Sequence, residues 1–372
     1  MKRKLNSVYS AYLNAIANAN TNAIANNIPN INTNTIANAI ETISVATYNI
    51  LSSSLSDKKS FPGYKDENIN PQNRYLLLLN KLNRYIKKYA IICLQEVSQE
   101  WSGPLHTHFY SHEYTMIYSQ YGGEFDNFMG VAIAFPNSYF LKKVIICKPA
   151  KLIGAINKNL ITYKNETYQS NFLLKNIESI VKKKSNSLIM VCLKYGSDSV
   201  FWIATYHMPC EFRNPDLLMY HALILLKSVQ DEVNDEPYIL CGDFNFTPDS
   251  EPYKYICKKQ QSSKKTTSEI ATDLTLSTAP TLPASPLIWN DVCAKFNLMP
   301  IKSAYLTFHG EEPTYTNYVN GWNGIFMGTL DYVFYSGMKV TYVEKIRTNQ
   351  QFLPNENESS DHLPIYAEFN LL

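Results

Sequence analysis

The sequence lacks paired cysteines and any long apolar run. It has seven Cys, an odd number, and none forms a C-x-x-C pair, which argues against a disulfide framework and a structural zinc site. We therefore expect a reducing, intracellular compartment, the cytoplasm. No apolar run reaches the length of a membrane span, and asparagines interrupt the stretch after the basic N-terminal residues, so neither a membrane partner nor a signal peptide is predicted.

The sequence also lacks a marked excess of either charge. Its 34 Lys and Arg residues against 32 Asp and Glu give a formal net charge of +2. An anionic partner would therefore have to be held by a local patch rather than by global attraction. With 372 residues, of which 45% are hydrophobic, the chain is long enough for one large globular domain or two.

The first 42 residues differ in composition from the rest. Residues 1–42 repeat Asn, Ala, Ile and Thr in variable order. Asn is a poor helix former because its side chain competes for backbone hydrogen bonds, although the recurring Ala and Ile would allow a frayed helix. We predict a mostly disordered tail over 1–42 and a folded catalytic domain over 43–372.

Apolar runs of strand length recur through the folded part. Strands are predicted at 44–50, 90–96, about 114–120 and 128–135, 188–194, 200–206, 238–241, 328–335, about 340–347 and 363–371. Helices are predicted at 74–88, opened by Pro71, and at 215–229, with a short one at 290–296. The polar stretch 150–186 is predicted to be a hairpin or an excursion, and 258–287 a surface loop. Too few helices separate the strands for an all-parallel sheet, so an α/β protein with two packed mixed sheets is predicted.

The stretch Tyr238–Pro248 combines a buried strand with polar residues that can carry chemistry. Asp243 and Asn245 alternate with Phe244, so in an extended chain their side chains would project to the same side. The carboxyl end of a strand is where open sheets place ligands. However, Gly, Asp, Asn and Pro are also turn residues, and a strand that ends in an Asx turn explains the pattern equally well.

Six segments of the chain share this design, an apolar strand that ends in a polar side chain able to act in catalysis, although Asp331 sits inside its strand. The polar residues are Asn49, Glu96, His207, Asp243 with Asn245, Asp331, and Asp361 with His362. A single such residue is more often a cap or a salt-bridge partner. Six sets in one chain are difficult to explain as independent caps, and their oxygen and imidazole groups favour metal-assisted phosphodiester hydrolysis.

Each residue type suits one part of that reaction. Glu96, with Asn49 beside it, offers hard oxygen ligands for Mg²⁺ or Mn²⁺. Asp243 is a candidate to orient and deprotonate the attacking water, steadied by Asn245. His362 could stabilise negative charge on a phosphoryl oxygen, with Asp331 holding its tautomer.

Two further residues of the set complete the candidate site. His207 is a second imidazole for the catalytic group. Asp361 is a candidate ligand for a second metal ion or a structural carboxylate. Cys210 is close to His207 in sequence, but nothing nearby would lower its pKa, so a thiol nucleophile is disfavoured.

The motifs occur in an order that resembles the endonuclease/exonuclease/phosphatase superfamily, the fold of DNase I. They are Thr47-Tyr-Asn-Ile50, Leu94-Gln-Glu96, Tyr206-His207, Gly242-Asp-Phe-Asn245, Leu330-Asp331-Tyr332 and Ser360-Asp-His362. Each motif alone is weak, but six in this order are a strong signal that covers 43–372. The resemblance implies a four-layer α/β sandwich with the site at its edge.

Within the superfamily the details resemble the branch of poly(A) deadenylases, nocturnin and 2′,5′-phosphodiesterases. In the deadenylases a Phe five residues before the strand Asp stacks on adenine, which implies that role for Phe326, although a loop anchor is the alternative. The family usually has Asn-Thr-His where this chain has Ala204-Thr-Tyr-His207, so an Asn that would contact substrate is missing. Inositol phosphatases tend to carry basic residues near this position, and here Arg213 is the candidate.

The resemblance implies a Mg²⁺-dependent phosphodiester hydrolase that acts on nucleic acid, RNA rather than DNA. A monomeric 3′ exoribonuclease of deadenylase type is expected. One alternative is a phosphatase or phosphodiesterase with a small substrate such as a nucleotide, 2′,5′-oligoadenylate or inositol phosphate. Another is an inactive binding scaffold, against which the intact set of site residues argues.

Overall fold

The computed structural model describes residues 42–122, 128–152, 168–194, 199–257, 296–346 and 351–372. The predicted tail lies outside these residues except for Thr42, which is the first residue of a strand. The predicted loop at 258–287 and all but the last residue of the predicted helix at 290–296 also lie outside them.

Fourteen strands and seven α-helices are present in the described residues. The strands are β1 Thr42–Asn49, β2 Ile91–Ser98, β3 Tyr114–Gln120, β4 Met129–Pro136, β5 Phe140–Cys147, β6 Leu188–Lys194, β7 Val200–His207, β8 Tyr238–Asp243, β9 Lys302–Ser303, β10 Asn317–Gly321, β11 Gly324–Gly328, β12 Asp331–Ser336, β13 Met338–Val343 and β14 Ile365–Leu371. The helices are α1 Asp66–Ile69, α2 Pro71–Ile86, α3 Gln99–Ser111, α4 Tyr168–Val181, α5 Pro215–Val233, α6 Glu251–Ile256 and α7 Ala304–His309, with a 3₁₀ turn at Ser53–Leu55. None of the helices in these ranges has the length and apolar character that crossing a membrane requires.

Two six-stranded mixed sheets form the frame. Their strand orders are β13-β14-β1-β2-β4-β3 and β5-β6-β7-β8-β12-β9, and β10 pairs with β11 in a separate hairpin. Each large sheet has one parallel pair at its centre, β1 with β2 and β7 with β8, flanked by antiparallel strands. The crossover within each parallel pair contains helix α2 or α5.

The sheets pack face to face, with helices on their outer faces. The core between them includes Val45, Ile91 and Ile133 from the first sheet and Val191, Ile203 and Ile239 from the second. Helices α2 and α3 bury Leu82 and Leu105 against the outer face of the first sheet, while α5 buries Leu225 against the second. The four-layer α/β sandwich predicted from the sequence is confirmed, and its layers follow from the need to bury both faces of each sheet.

The two long crossover helices begin where the sequence places their start signals. Pro71 and Pro215 occupy the first turns, and Asn70 and Asn214 cap them by accepting backbone N–H hydrogen bonds through their side chains. Helix α2 therefore starts three residues before the predicted Arg74. Helix α5 continues to Val233, where Asn234 ends it in the left-handed conformation.

Several elements were not predicted. The polar stretch 150–186 contains helix α4. Residues 153–167 of this stretch lie outside the residues that the structure describes. Strand β5 lies at the edge of its sheet, and its side chains are partly or fully exposed, so its sequence shows little apolar alternation. Helix α3 follows β2 without a loop, and Pro104 inside it obscures the helical pattern.

Candidate active site

The ends of β1, β7 and β8 and the start of β12 meet at one edge of the sandwich. Asn49 and His207 are the last residues of β1 and β7, and Asp243 is the last residue of β8. His207 lies beside Asp243 in register, and Asp331 lies opposite Asp243 on β12. Asp331 was predicted inside its strand and is instead the first residue, because the pairing of β12 with β8 begins there.

A β-bulge directs Glu96 towards this edge. The register between β2 and β4 shifts between Leu94 and Val97, and Glu96 has a left-handed φ of 56°. A bulge inserts an extra residue and re-aims its side chain, and a non-glycine residue at positive φ is a strain typical of functional sites. The Glu96 carboxylate accepts a hydrogen bond from Ser52 N at 3.0 Å.

Asn49 connects the carboxylates of the two sheets. Its Nδ2 donates to Glu96 Oε1 at 3.1 Å and to Asp243 Oδ2 at 2.9 Å. Its Oδ1 accepts from Leu51 N at 3.0 Å, which fixes the orientation of the amide. Asn49 is therefore beside Glu96, as predicted, but its amide faces the two carboxylates through nitrogen rather than oxygen.

Asp243 is the last residue of β8, the first residue of a turn and the central residue of the site. Its Oδ1 accepts from Asn245 N at 2.9 Å, which is an Asx turn, and Asn245 has a φ of 51°. The two interpretations of this stretch are therefore compatible. The sequence analysis assumed that the chain stays extended from Asp243 to Asn245, and this was wrong because the strand ends at Asp243. It is the turn that brings both side chains to the site.

Gly242 is needed for the close approach of β7 and β8. A Cβ atom at this position would lie 1.9 Å from the backbone oxygen of Tyr206, and the φ of 147° disfavours an L side chain. The glycine before Asp243 therefore sets the distance between the strand that carries Asp243 and the strand that carries His207.

His207 is held from both ring nitrogens. Its Nδ1 lies 2.9 Å from Tyr121 Oη, and its Nε2 lies 3.2 Å from Asn245 Nδ2 and 3.5 Å from Asp243 Oδ2. The Asn245 amide also donates to Met208 O at 2.8 Å. Tyr121 is a buried site residue that the sequence analysis missed, since it follows β3 in a segment with no recognisable motif.

His362 lies between two carboxylates. Its Nδ1 is 2.7 Å from Asp331 Oδ2, the pairing expected from the sequence, and its Nε2 is 3.6 Å from Asp243 Oδ2. Burial acts to lower the pKa of His362, but the carboxylates of Asp331, Asp243 and Asp361 together raise that pKa well above its ordinary value. The surrounding carboxylates therefore favour the protonated form of this imidazole.

Asp361 and His362 do not end a strand, contrary to the prediction. They belong to the loop before β14, and His362 forms an isolated bridge with Asn317. Asn317 Nδ2 donates to Asp361 Oδ2 at 3.3 Å. Burial raises the pKa of the Asp361 carboxyl above its usual value, and the nearby Glu96 carboxylate raises it further.

Arg74 is a fully buried cation behind the site that the sequence analysis missed. Its guanidinium donates to Ser359 O at 2.6 Å, to Ile50 O at 2.8 Å and to Leu51 O. It thus connects the loop after β1 to the loop before β14. Burial lowers the pKa of Arg74 to about 10, so the group stays charged at neutral pH.

The charge of the cluster fits a divalent cation. The carboxylates are those of Glu96, Asp243, Asp331 and Asp361, and the cations among them are Arg74 and His362. Carboxyl groups thus outnumber basic groups at this edge, and a cation there would offset buried negative charge, which is costly when uncompensated. Hard oxygen donors of this kind suit Mg²⁺ or Mn²⁺.

Two groups of residues could hold such an ion. Asp243, Asp331 and His362 place one donor atom each within 4.8 Å of one another, but Asp331 and His362 already share a short hydrogen bond that an ion would break. Glu96 and Asp361 both line the cleft above the site. Glu96 and Asp361 are therefore the second candidate pair of ligands.

A cleft of about 820 Å³ lies over this cluster, and its walls are mainly apolar. Phe326 lines it and is 38% exposed, so its role as a substrate contact stays a prediction. Among the described residues that line the cleft Arg213 does not appear, and its guanidinium lies 5.5 Å from the ring of Phe212. Cys210 also lines the cleft and is exposed to solvent. Partial loss of water around the sulfur, together with the Asp243 and Glu96 carboxylates, raises the pKa of its thiol, which disfavours a thiolate nucleophile.

Known proteins are similar to this chain in sequence. The sequence model of the Endonuclease/Exonuclease/phosphatase family matches residues 46–362. Carbon catabolite repressor protein 4 homolog 1 of Arabidopsis thaliana is 24% identical over 368 residues, which cover 89% of this chain and 58% of that protein. The chain thus spans about 58% of the length of this curated relative.

Solved structures show the same fold. The crystal structure of ANGEL2, a 2′,3′-cyclic phosphatase, in complex with adenosine-2′,3′-vanadate has a TM-score of 0.61 at 21% identity, covering 89% of this chain and 96% of that one. The human Nocturnin catalytic domain with bound sulfate anion has a TM-score of 0.57 at 22% identity, covering 89% and 94%. The architecture is therefore the DNase I-like sandwich.

Proposed function

Since the chain belongs to the endonuclease/exonuclease/phosphatase family and is thus a hydrolase of phosphoester bonds, we propose that it is a Mg²⁺-dependent phosphodiester hydrolase acting on nucleic acid. Within that class a 3′ exoribonuclease of deadenylase type is favoured, with RNA preferred to DNA. The observation that carries the proposal is the Asp243 carboxylate, which is faced by nitrogen atoms of Asn49, Asn245, His207 and His362. A monomer in the cytoplasm remains our expectation.

Asp243 prepares the water. Its Oδ1 is taken by the Asx turn and its Oδ2 points to the centre of the site, where Asn49 holds it at 2.9 Å. A carboxylate fixed in this way can accept a proton from a water molecule lying in line with the phosphorus atom. Asn245 keeps the turn closed, so the base does not rotate away from the water.

The two imidazoles act on the phosphoryl group. His362, kept protonated by the surrounding carboxylates, points its Nε2 at the space beside Asp243 and can donate a hydrogen bond to a phosphoryl oxygen as negative charge builds there. Asp331 holds Nδ1 and so fixes the ring orientation. His207, held at Nδ1 by Tyr121, faces the same space from the other side.

Glu96 and Asp361 would hold the metal ion. A bound Mg²⁺ would supply Lewis-acid stabilisation of the charge on the phosphate. Asn49 keeps the Glu96 carboxylate turned towards Asp243. Arg74 fixes the backbone of the loop after β1 at Ile50 and of the loop before Asp361 at Ser359. These contacts position the ligands before any ion binds.

A second candidate is a phosphatase or phosphodiesterase acting on a small substrate, such as a nucleotide. It is favoured by the structural likeness to ANGEL2, whose described activity is that of a 2′,3′-cyclic phosphatase. The volume of the cleft, about 820 Å³, is also in the range of about 300–1,000 Å³ that is typical of small-molecule sites.

A substrate panel tests both candidates. Poly(A) RNA, other RNA, duplex DNA, 2′,5′-linked oligoadenylate, adenosine 2′,3′-cyclic phosphate, NADPH and inositol phosphates are incubated with the protein in Mg²⁺ and in excess chelator. We expect shortening of poly(A) from its 3′ end, faster than cleavage of DNA, and loss of activity in chelator. Hydrolysis that persists in chelator would contradict the metal assignment, and turnover confined to small substrates would favour the second candidate.

A further inference from the structure

Trp322 is an exposed indole at the mouth of the catalytic cleft. It lies in the turn between β10 and β11, is 72% exposed and lines the same cleft as Asp243 and His362. Trp101 and Trp202, by contrast, are buried in the sandwich. A large aromatic side chain left open beside a site offers a flat, apolar surface to a ligand.

The backbone beneath Trp322 is firmly held. Trp322 N donates to Ser60 O at 3.2 Å, and Asn320 N donates to Tyr64 Oη at 3.0 Å. Val319 packs against the apolar cluster that contains Phe61. The hairpin is therefore fixed to the loop after β1 while the indole stays uncovered, so little ordering entropy is lost when a ligand stacks on the ring.

Phe326 and Trp322 lie at different depths in the cleft. The Phe326 ring rests beside Gly328 and Thr247, close to the turn that carries Asp243, and is about half as exposed as the indole. At a strand rise of about 3.3 Å per residue, the hairpin turn begins about 7 Å beyond Phe326. A base on Phe326 would therefore leave the indole free for the next flat group.

We propose that Trp322 is a second stacking subsite, which binds the nucleobase adjacent to the one held at Phe326. The substrate class that fits is an oligonucleotide with at least two consecutive bases, rather than a mononucleotide or an inositol phosphate. The inference rests on the proposed nucleic-acid hydrolase function. Stacking on aromatic side chains tolerates any base, so the subsite adds affinity and length preference rather than sequence specificity.

Binding and turnover of short oligoadenylates test the subsite. Trp322→Ala and Trp322→Phe are made in the active enzyme and in an Asp243→Asn background that can bind without cleavage. Tyr89→Ala is the matched control, because Tyr89 is an aromatic residue of similar exposure, 73%, and is absent from the described lining of the cleft. The ligands are the tetranucleotide A4, labelled at its 5′ end, and adenosine 5′-methyl phosphate, which carries one base on the 3′ side of the reacting phosphate.

We expect Trp322→Ala to weaken A4 binding and to lower kcat/KM for A4 by about tenfold or more, because a stacked base contributes on the order of that factor. Trp322→Phe should keep most of the affinity, and Tyr89→Ala should match the parent. Turnover of adenosine 5′-methyl phosphate should be unchanged by each of these substitutions in the active enzyme.

Unchanged A4 binding in Trp322→Ala would overturn the inference, and so would an equal loss on the one-base substrate. If A4 does not bind the Asp243→Asn protein at all, the inference is also overturned. In that case turnover of other phosphoesters in the substrate panel shows separately whether the hydrolase proposal stands.

Discussion

Asp243 is the residue on which the contacts from both sheets converge. Asp243→Asn keeps Oδ1 available to the Asx turn with Asn245 but removes the negative charge that accepts the proton from water. We expect kcat to fall by about 10²–10⁴-fold, the contribution typical of a general base. The measurement is steady-state turnover on the best substrate of the panel.

The same variant should remain folded, since one oxygen of the buried side chain keeps its partner. Circular dichroism and the melting temperature should be close to those of the parent protein. Near-parental turnover in Asp243→Asn would rule out its role as the base.

Gly328 controls the position of the Phe326 ring. A Cβ atom at Gly328 would lie 2.9 Å from the tip of that ring, which is the far end of a flexible side chain and can move. We therefore expect Gly328→Ala to displace the ring, to raise KM for a nucleobase substrate by about threefold to tenfold, and to leave kcat nearly unchanged.

Gly103→Ala is the matched control for this change. Gly103 lies in helix α3, where a Cβ would meet nothing within 4 Å, so the substitution should leave KM unaltered. An unchanged KM in Gly328→Ala would show that Phe326 packs as a loop anchor and does not contact substrate.

The site residues that could be predicted from the sequence are those whose neighbouring residues make them unusual. Glu96 and Asp243 are charged groups in apolar strands, and charge in such a place requires a reason. Tyr121 and Arg74 gave no such signal. A tyrosine after a strand and an arginine in a basic helix look like ordinary surface residues, and their burial depends on partners from distant parts of the chain.

At the scale of elements, helix α2 braces the two loops of the site through Arg74. Arg74→Met would leave the carbonyl groups of Ile50, Leu51 and Ser359 without their donor inside the protein. We expect a loss of about 3 kcal/mol in the free energy of unfolding, since each buried group left unpaired costs about 1–3 kcal/mol. Urea denaturation measures the loss.

Arg84→Met on the same helix is the control. Arg84 is mostly exposed and pairs with Glu344 at the surface, so its removal should change the free energy of unfolding by less than about 1 kcal/mol. Equal effects of the two substitutions would contradict the bracing role of Arg74.

The long helices and the central strands could be predicted because their signals are local. Asn and Pro at the start of α2 and α5 satisfy or remove free N–H groups within a few residues. Strand β5 and helix α4 carry weaker patterns. Their positions are decided by the sheet edge and the neighbouring helix that they contact, which no local window of sequence contains.

For the whole molecule, His221 makes stability depend on pH. It is a fully buried residue of α5, and its Nε2 is 2.6 Å from Tyr206 Oη on β7. Burial, with a small contribution from Lys184, lowers the pKa of His221 to about 3, against about 6.5 in an unfolded chain. Between these values the unfolded chain binds a proton that the folded protein does not, so the free energy of unfolding decreases as the pH falls through this window.

His221→Gln keeps an acceptor for Tyr206 but cannot titrate. We expect the slope of the free energy of unfolding against pH, measured by urea denaturation between pH 6.5 and 4, to decrease by about 1.4 kcal/mol per pH unit. His106→Gln, at an exposed position, should leave the slope unchanged. An unaltered slope in His221→Gln would show that another group governs the acid sensitivity.

The sandwich could be predicted from the sequence, but the sheet order could not. Mixed sheets followed from the scarcity of crossover helices. β1 pairs with β14 and β8 pairs with β12, and nothing in the sequence of either strand identifies the strand with which it pairs. The edge at which the polar side chains meet was therefore inferable, while the exact neighbours of each residue were not.

The pairing of β1 with β14 has a consequence for the way the chain is made. Thr42 and Asn370 contact each other although they are 328 positions apart in the sequence, so the ribosome must translate nearly the whole folded region before the first sheet can close. His362 is delivered by the same late segment. A nascent or prematurely terminated polypeptide therefore holds Glu96 and Asp243 without the His362 imidazole, and with the role proposed for His362 we expect hydrolytic activity to appear only as synthesis reaches the last strand.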